Sequence, residues 1–186
     1  MRRRKKAVDR DELLERCLGA FIQAGTLDLS LDQLARKAGS SKRMLIHYFG
    51  SREGLEELAI ARLEDKLRDR FKAGSFPAGT PFHAVMAALW EQFTQPQSRG
   101  TLQLVMDVSR RGWNGSERAK AFYEEQQRLW TNLLKEFLPD PADVEALLQL
   151  FQGAVLVYLM TGDREQGRRA IERMTKGPSV SKSAAK

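Results

Sequence analysis

The sequence predicts an all-α protein, with an N-terminal helix-turn-helix unit followed by a larger C-terminal helical part. Three observations carry this. Apolar residues recur at helical spacing in every strongly patterned segment, and no stretch alternates as a half-buried strand would. Gly39, in AGSSKRML, falls between two short amphipathic segments, where a sharp turn is needed. AGSFPAGTP at 73–81 is rich in Gly and Pro and separates two helical regions.

The first helix is expected over about 9–25, with Leu13, Leu14, Cys17, Leu18, Phe21 and Ile22 on one face and Gly25 at its end. The second covers about 31–38. It is announced by Ser30-Leu31-Asp32-Gln33, a capping box in which hydroxyl and amide each satisfy a free backbone donor. After Gly39, Ser40 or Ser41 caps a third helix running to about 48, and Gly50-Ser51 precedes a long fourth helix over about 52–72. Further helices are expected near 82–94, 97–112, 116–138, 142–161 and 163–176, separated by Pro96, the Gly112/Asn114/Gly115 group, Pro139/Pro141 and Gly162. The domain organisation that follows is a basic disordered arm at 1–8, a helix-turn-helix unit with its linking helix at 9–72, a junction at 73–81, a second helical domain at 82–176 and a disordered tail at 177–186.

At 186 residues and 42% apolar content the chain can bury a substantial core. Its net charge of +7 and pI near 9.8 favour a polyanionic partner. The excess is concentrated early: residues 1–72 hold 17 Lys/Arg against 12 Asp/Glu. RRRKK at 2–6 can lie along phosphates or in a minor groove, or simply aid solubility. The single cysteine, Cys17, reads as a core residue and fits a reducing compartment. The N-terminus lacks a secretory h-region, and the longest apolar run, 153–160, is well short of the ~20 residues that span a bilayer. A cytoplasmic protein with no membrane partner is expected.

Catalysis finds little support. Two histidines and one cysteine make no metal cluster, and there is no phosphate-binding glycine loop or serine elbow. Glu124 and Glu125 are adjacent and so point about 100° apart on a helix. No catalytic residue, metal or cofactor is assigned.

The third helix carries the function. Projecting 41–49 at about 100° per residue turns Leu45, Phe49, Ser41 and Tyr48 towards the core and Arg43 and His47 away from it, with Lys42 and Ile46 on one flank and Met44 on the other. Such an outward face suits a major groove: Arg pairs with guanine O6/N7, and an apolar side chain meets a thymine methyl. Ser30, Ser41, Tyr48 and Arg52 stand at helix ends, where hydroxyls and a cation can hold phosphates. The blander alternatives are that His47 is an ordinary surface residue and that Met44 packs rather than reads.

Residues 11–58 resemble the DNA-binding domain of the TetR/AcrR family of bacterial transcriptional regulators. The matching features are Phe21 and Gly25, Ser30 before Leu34-Ala35, Ala38-Gly39, Ser41, Leu45, Phe49, and Ser51-Arg52-Glu53 with Leu55. Three positions depart from the family's usual pattern: Ser40 where an apolar residue follows the glycine, Ile46 where tyrosine is usual, and Tyr48 where histidine is usual.

The resemblance implies a C-terminal ligand-binding and dimerisation domain, in which the last two long helices pair across a two-fold axis. Two recognition helices would then lie about 34 Å apart and read a palindromic operator in double-stranded DNA. The helix at 142–161, apolar almost all round, offers Leu147, Leu148, Phe151, Val155, Tyr158 and Leu159 for that interface; the alternative is a buried core helix. Aromatic and sulfur-bearing side chains at helical spacing suggest the walls of an apolar cavity. They are Met86, Trp90 and Phe93 on one helix, Met106 and Trp113 on the next, and Phe122, Tyr123 and Trp130 on the longer one, with Gln126 and Asp107 among the polar groups at its edge. More often such residues are simply core.

The function expected is a homodimeric repressor released from its operator by a small apolar or cationic effector. The alternatives are a helical DNA-binding regulator with no small-molecule pocket, and a helical binding protein whose basic head meets membrane or protein.

Overall fold

A computed structural model describes residues 9–70, 76–77, 79–138 and 140–175. The basic arm, the tail and residues 73–75 and 78 of the junction lie outside the described residues. The described chain is helical: α1 (Arg10–Ala24), α2 (Leu31–Lys37), α3 (Lys42–Phe49), α4 (Arg52–Arg70), α5 (Phe82–Phe93), α6 (Arg99–Trp113), α7 (Glu117–Lys135), α8 (Pro141–Thr161) and α9 (Arg164–Thr175), with a 3-10 turn at Pro96–Ser98 before α6. Two compact units result, one of Met1–Arg70 with Gln103–Gln126, the other of Phe71–Leu102 with Gln127–Lys186.

The first unit forms where local signals say it should. The α1 helix ends at Gly25, whose N–H donates to Ile22 O at 3.2 Å while Thr26 N–H reaches back to Phe21 O at 3.3 Å. The predicted capping box is present: Gln33 N–H donates to Ser30 Oγ at 3.2 Å and Ser30 N–H to Gln33 Oε1 at 2.7 Å. Gly39 adopts φ 63°, the left-handed turn that lets α3 leave α2. Ser41, rather than Ser40, caps α3 by accepting Met44 N–H at 3.2 Å. Leu13, Leu18, Phe21, Leu34, Leu45, Leu55 and Leu63 are fully buried between these helices, each contributing about 1.5–3 kcal/mol of transfer free energy.

The sequence predicts one second domain over 82–176, whereas residues Gln103–Gln126 of α6 and α7 cluster with the helix-turn-helix. Charge pairing explains the difference. Arg118 on α7 reaches the buried Glu64 of α4 at 2.5 Å, and Arg68 reaches Glu125 at 3.4 Å. Asp107, Arg110 and Arg111 of α6 bind the segment before α2, and Arg111 also meets Glu56 of α4 at 3.0 Å. Helical periodicity does not register such contacts, because all of these residues are polar.

In the second unit α9 packs against α5 and α8. Gly167 makes this possible: a Cβ there would enter the indole ring of Trp90, which is buried and donates from Nε1 to Arg164 O at 3.1 Å. Trp90 also meets Phe151 and Tyr158 edge-on, and Tyr158 Oη donates to Thr94 O at 3.0 Å.

The longest uninterrupted apolar run suggested no bilayer-length segment, yet α8, at 21 residues with a mean hydropathy of 1.5, is long and apolar enough to cross one by length and composition. The run underestimates it because only isolated polar residues interrupt the helix. Val144, Leu147, Leu148, Phe151, Ala154, Val155 and Tyr158 are nevertheless buried within the unit, and Arg99 donates to Leu159 O at 2.7 Å, so α8 is a core helix here.

Candidate nucleic-acid interface

The α3 helix divides its faces as projected. Leu45 and Phe49 are buried, Arg43 and His47 are exposed, and Met44 and Ile46 remain 36% and 39% accessible on the flanks. Ser41 differs from its projected place: it is exposed, because as the N-cap it sits in extended backbone outside the helical register. Ser30 and Ser41 each use a hydroxyl lone pair for capping, which leaves the O–H free to donate to a phosphate.

Lys42 Nζ lies 3.7 Å from Asp32 Oδ2, both well exposed, a pairing that water and salt weaken readily. The α3 segment itself contains no acid. Arg36 and Lys37 close α2 on exposed positions, with Lys37 Nζ donating to Gln23 Oε1 at 3.0 Å. Tyr48 is half-buried, its ring 5.2 Å from that of His47. Its carbonyl accepts Arg10 Nε at 3.4 Å, and the Arg10 guanidinium stands 5.7 Å from the Phe49 ring. Arg10 thus ties the start of α1 to the end of α3, a role that sequence reasoning missed because nothing local marks it.

Arg52 requires a correction. Its Nε donates to Glu56 Oε1 at 2.8 Å and its Nη2 to Leu27 O at 3.2 Å, so it fastens α4 to the loop before α2 rather than standing free for phosphate. A partly covered position beside a carboxylate and an open carbonyl accounts for this.

The sequence places Asp107 among the polar groups at the edge of a cavity. Instead its Oδ2 accepts Leu27 N–H at 2.9 Å and Thr26 Oγ1–H at 3.0 Å, while Arg110 Nη2 meets Oδ1 at 2.7 Å. Burial pushes this carboxyl up, but the bonds from Leu27, Arg110 and Thr26, with the Arg111 charge, outweigh it and hold it below the usual carboxylate value. Asp28 is bound in turn by Arg111 at 2.6 Å and Arg110 at 3.4 Å. The spacing of Asp107, Arg110 and Arg111 at i, i+3 and i+4 was the available signal.

The expected cavity residues behave differently from one another. In the second unit Met86 and Trp90 are buried core, and Phe93, Trp130 and Phe151 contact one another with ring centroids 5.2–5.7 Å apart. In the first unit Phe122 is buried and Met106 half-buried, whereas Trp113 and Tyr123 are 86% and 44% exposed. Both lie on the outer side of the apolar stripes of their helices. Gln126 is buried, and its Nε2 has no hydrogen-bond partner among the described residues.

The expected dimer contacts also change. Leu147, Leu148, Phe151, Val155 and Tyr158 are at most 7% exposed within the protomer, where they form part of its own core, and Leu159 is half-buried. The face of α8 left open is Gly153, Leu156 and Met160, the last two 53% and 80% exposed.

A capped two-helix motif that buries Leu45 and Phe49 and presents an acid-free, cationic outer face defines a helix-turn-helix DNA-binding transcriptional regulator. Comparison with known proteins agrees. Residues 13–58 match the model for the tetR family of bacterial regulatory proteins. The HTH-type transcriptional regulator BetI of Escherichia coli (strain K12 / DH10B) is 28% identical over 138 residues, covering 71% of this chain and 69% of BetI. Among solved structures, a tetR-family regulator from Streptomyces coelicolor superposes with TM-score 0.70 at 20% identity, over 89% of this chain and 78% of that one. A transcriptional regulator from Rhodococcus sp. Rha1 gives TM-score 0.73 at 16% identity over 90% and 94%. The multidrug binding protein EbrR, solved with imidazole, gives 0.67 at 19% over 97% and 96%. Residues 13–58 are thus similar to the DNA-binding domain of the tetR family of bacterial regulatory proteins, and the chain as a whole shares the fold of the solved tetR-type regulators.

Proposed function

We propose that this regulator is a cytoplasmic homodimeric repressor that leaves a palindromic operator when a small effector binds. The observation that carries the reading is a cationic, exposed α3 on a chain whose α8 leaves Leu156 and Met160 without a partner. An apolar stripe of this kind is what a second copy would cover, and two-fold pairing presents two α3 helices to one DNA face. Ser30, Ser41 and Tyr48, at helix ends beside α3, set the register on the phosphates.

Release is a population shift: an effector that prefers a displaced α6 moves Leu27, and with it α2 and α3, through Asp107. The unpaired amide nitrogen of Gln126 supports an effector that brings an acceptor to it, because an unsatisfied buried donor is costly. EbrR, of similar fold, is described as a multidrug binding protein, which supports an apolar or cationic ligand class. A second reading, a regulator with no small-molecule pocket, is favoured by the mutual packing of Phe93, Trp130 and Phe151.

Selection from a random duplex library at two salt concentrations tests the DNA reading. Recovery of a palindrome supports it; binding that is blind to sequence and steeply salt-dependent overturns it. A thermal-shift screen of apolar and cationic compounds separates the two readings, since a ligand that prefers the native state raises Tm and weakens operator binding.

A further inference from the structure

We infer that Ile46 reads the C5 methyl of a thymine in each operator half-site, one to two base steps from the base read by Arg43. The inference rests on α3 entering the major groove, as set out above.

Single exposed apolar residues are common and need no special account. Ile46 is distinguished by its surroundings. It is 39% accessible on the flank of α3 that adjoins the outward face, one residue before exposed His47 and three after exposed Arg43, on a helix without acids. Its carbonyl accepts Gly50 N–H at 2.9 Å as helical carbonyls do, so what Ile46 adds to this surface is an apolar side chain. Isoleucine also brings no advantage to the helix itself, because its branched β-carbon restricts χ1 there.

The floor of the major groove is almost entirely polar: guanine shows N7 and O6, adenine N7 and an amino group, cytosine an amino group. The one apolar group is the thymine methyl. Against any other base Ile46 would cover polar edges without satisfying them, at a desolvation cost. Against thymine it buries methyl on methyl. Arg43 and Ile46 are separated along the helix axis by about 4.5 Å at 1.5 Å per residue. Base steps are about 3.4 Å, so the thymine lies one to two steps from the guanine that Arg43 engages.

The test uses the full chain and the duplex it selects from a random library. Each thymine of that duplex is replaced in turn by uracil, which removes the methyl group and keeps the pairing. One thymine per half-site should weaken binding by about fourfold when replaced, the equivalent of one buried methyl. Ile46→Ala should bind the thymine and uracil duplexes equally, while Ile46→Val should retain most of the discrimination. A melting temperature at the wild-type value shows that the variants are folded. A flat uracil scan of the wild-type protein overturns the inference but not the DNA reading, and so does undiminished uracil sensitivity in Ile46→Ala. Failure to select any preferred duplex overturns both.

Discussion

The carboxylate of Asp107, on α6, accepts the backbone N–H of Leu27 at 2.9 Å, within the loop that leads into the helix-turn-helix. One bond thus joins a helix distant in sequence to the entry of α2, and Arg110 and Arg111 reinforce it by holding Asp28 as well as Asp107. The Asp107 side chain is 11% exposed, so little water competes for it.

Replacing Asp107 with Asn should lower stability by about 1.5–3 kcal/mol, the range for hydrogen bonds to a charged group. The pH dependence follows from the lowered carboxyl value: a carboxylate that ionises more readily in the folded state stabilises fully above its ordinary value of 3.8, and that contribution is lost as pH falls through the folded value. The Tm difference between wild type and Asp107→Asn should therefore be constant near neutrality and close only below about pH 4. A difference that persists unchanged to pH 2 would contradict the assignment.

Arg43 and Arg52 should part company on substitution, although both are cations beside the motif. Arg43→Ala should cost about 1–3 kcal/mol of operator affinity and relax preference at one base position, with Tm unchanged. Arg52→Ala removes bonds to Glu56 and Leu27 O and should lower Tm while leaving base preference intact. Its salt slope of log Kd should also match wild type, since no phosphate contact is lost. Anisotropy titrations with single-base-substituted duplexes at several salt concentrations read both effects.

The open face of α8 makes a contrast with its buried one. Leu156→Glu with Met160→Lys should convert a dimer to a folded monomer in sedimentation equilibrium, because both side chains project from the protomer. Leu147→Ala should instead destabilise the fold by about 2–5 kcal/mol without changing assembly directly, being 1% exposed. Monomeric wild-type protein at micromolar concentration would remove the basis for the two-fold operator.

Much of the first unit was legible because its signals are local. The hydroxyl of Ser30 and the amide of Gln33 are three residues apart, Gly39 needs only its own backbone angle, and the division of α3 into Leu45/Phe49 and Arg43/His47 follows from helical pitch. The α8 helix shows the limit of that logic. A helix apolar all round has no pattern to say which side faces its own core, and the side expected to meet a partner proved to be the inner one.

The sequence by itself determined that the protein is all-α, the order and approximate extent of its helices, and which residues of α3 look outward, since each depends on interactions within a few residues of chain. The tertiary structure alone decided that α6 fastens to the loop before α2, that Arg52 turns inward to Glu56 and Leu27, that Trp90 beds on Gly167, and that Trp113 and Tyr123 stand in solvent. Those outcomes join residues tens of positions apart. A charged or aromatic side chain carries no periodic mark of the partner it will find, so only the folded chain reveals it.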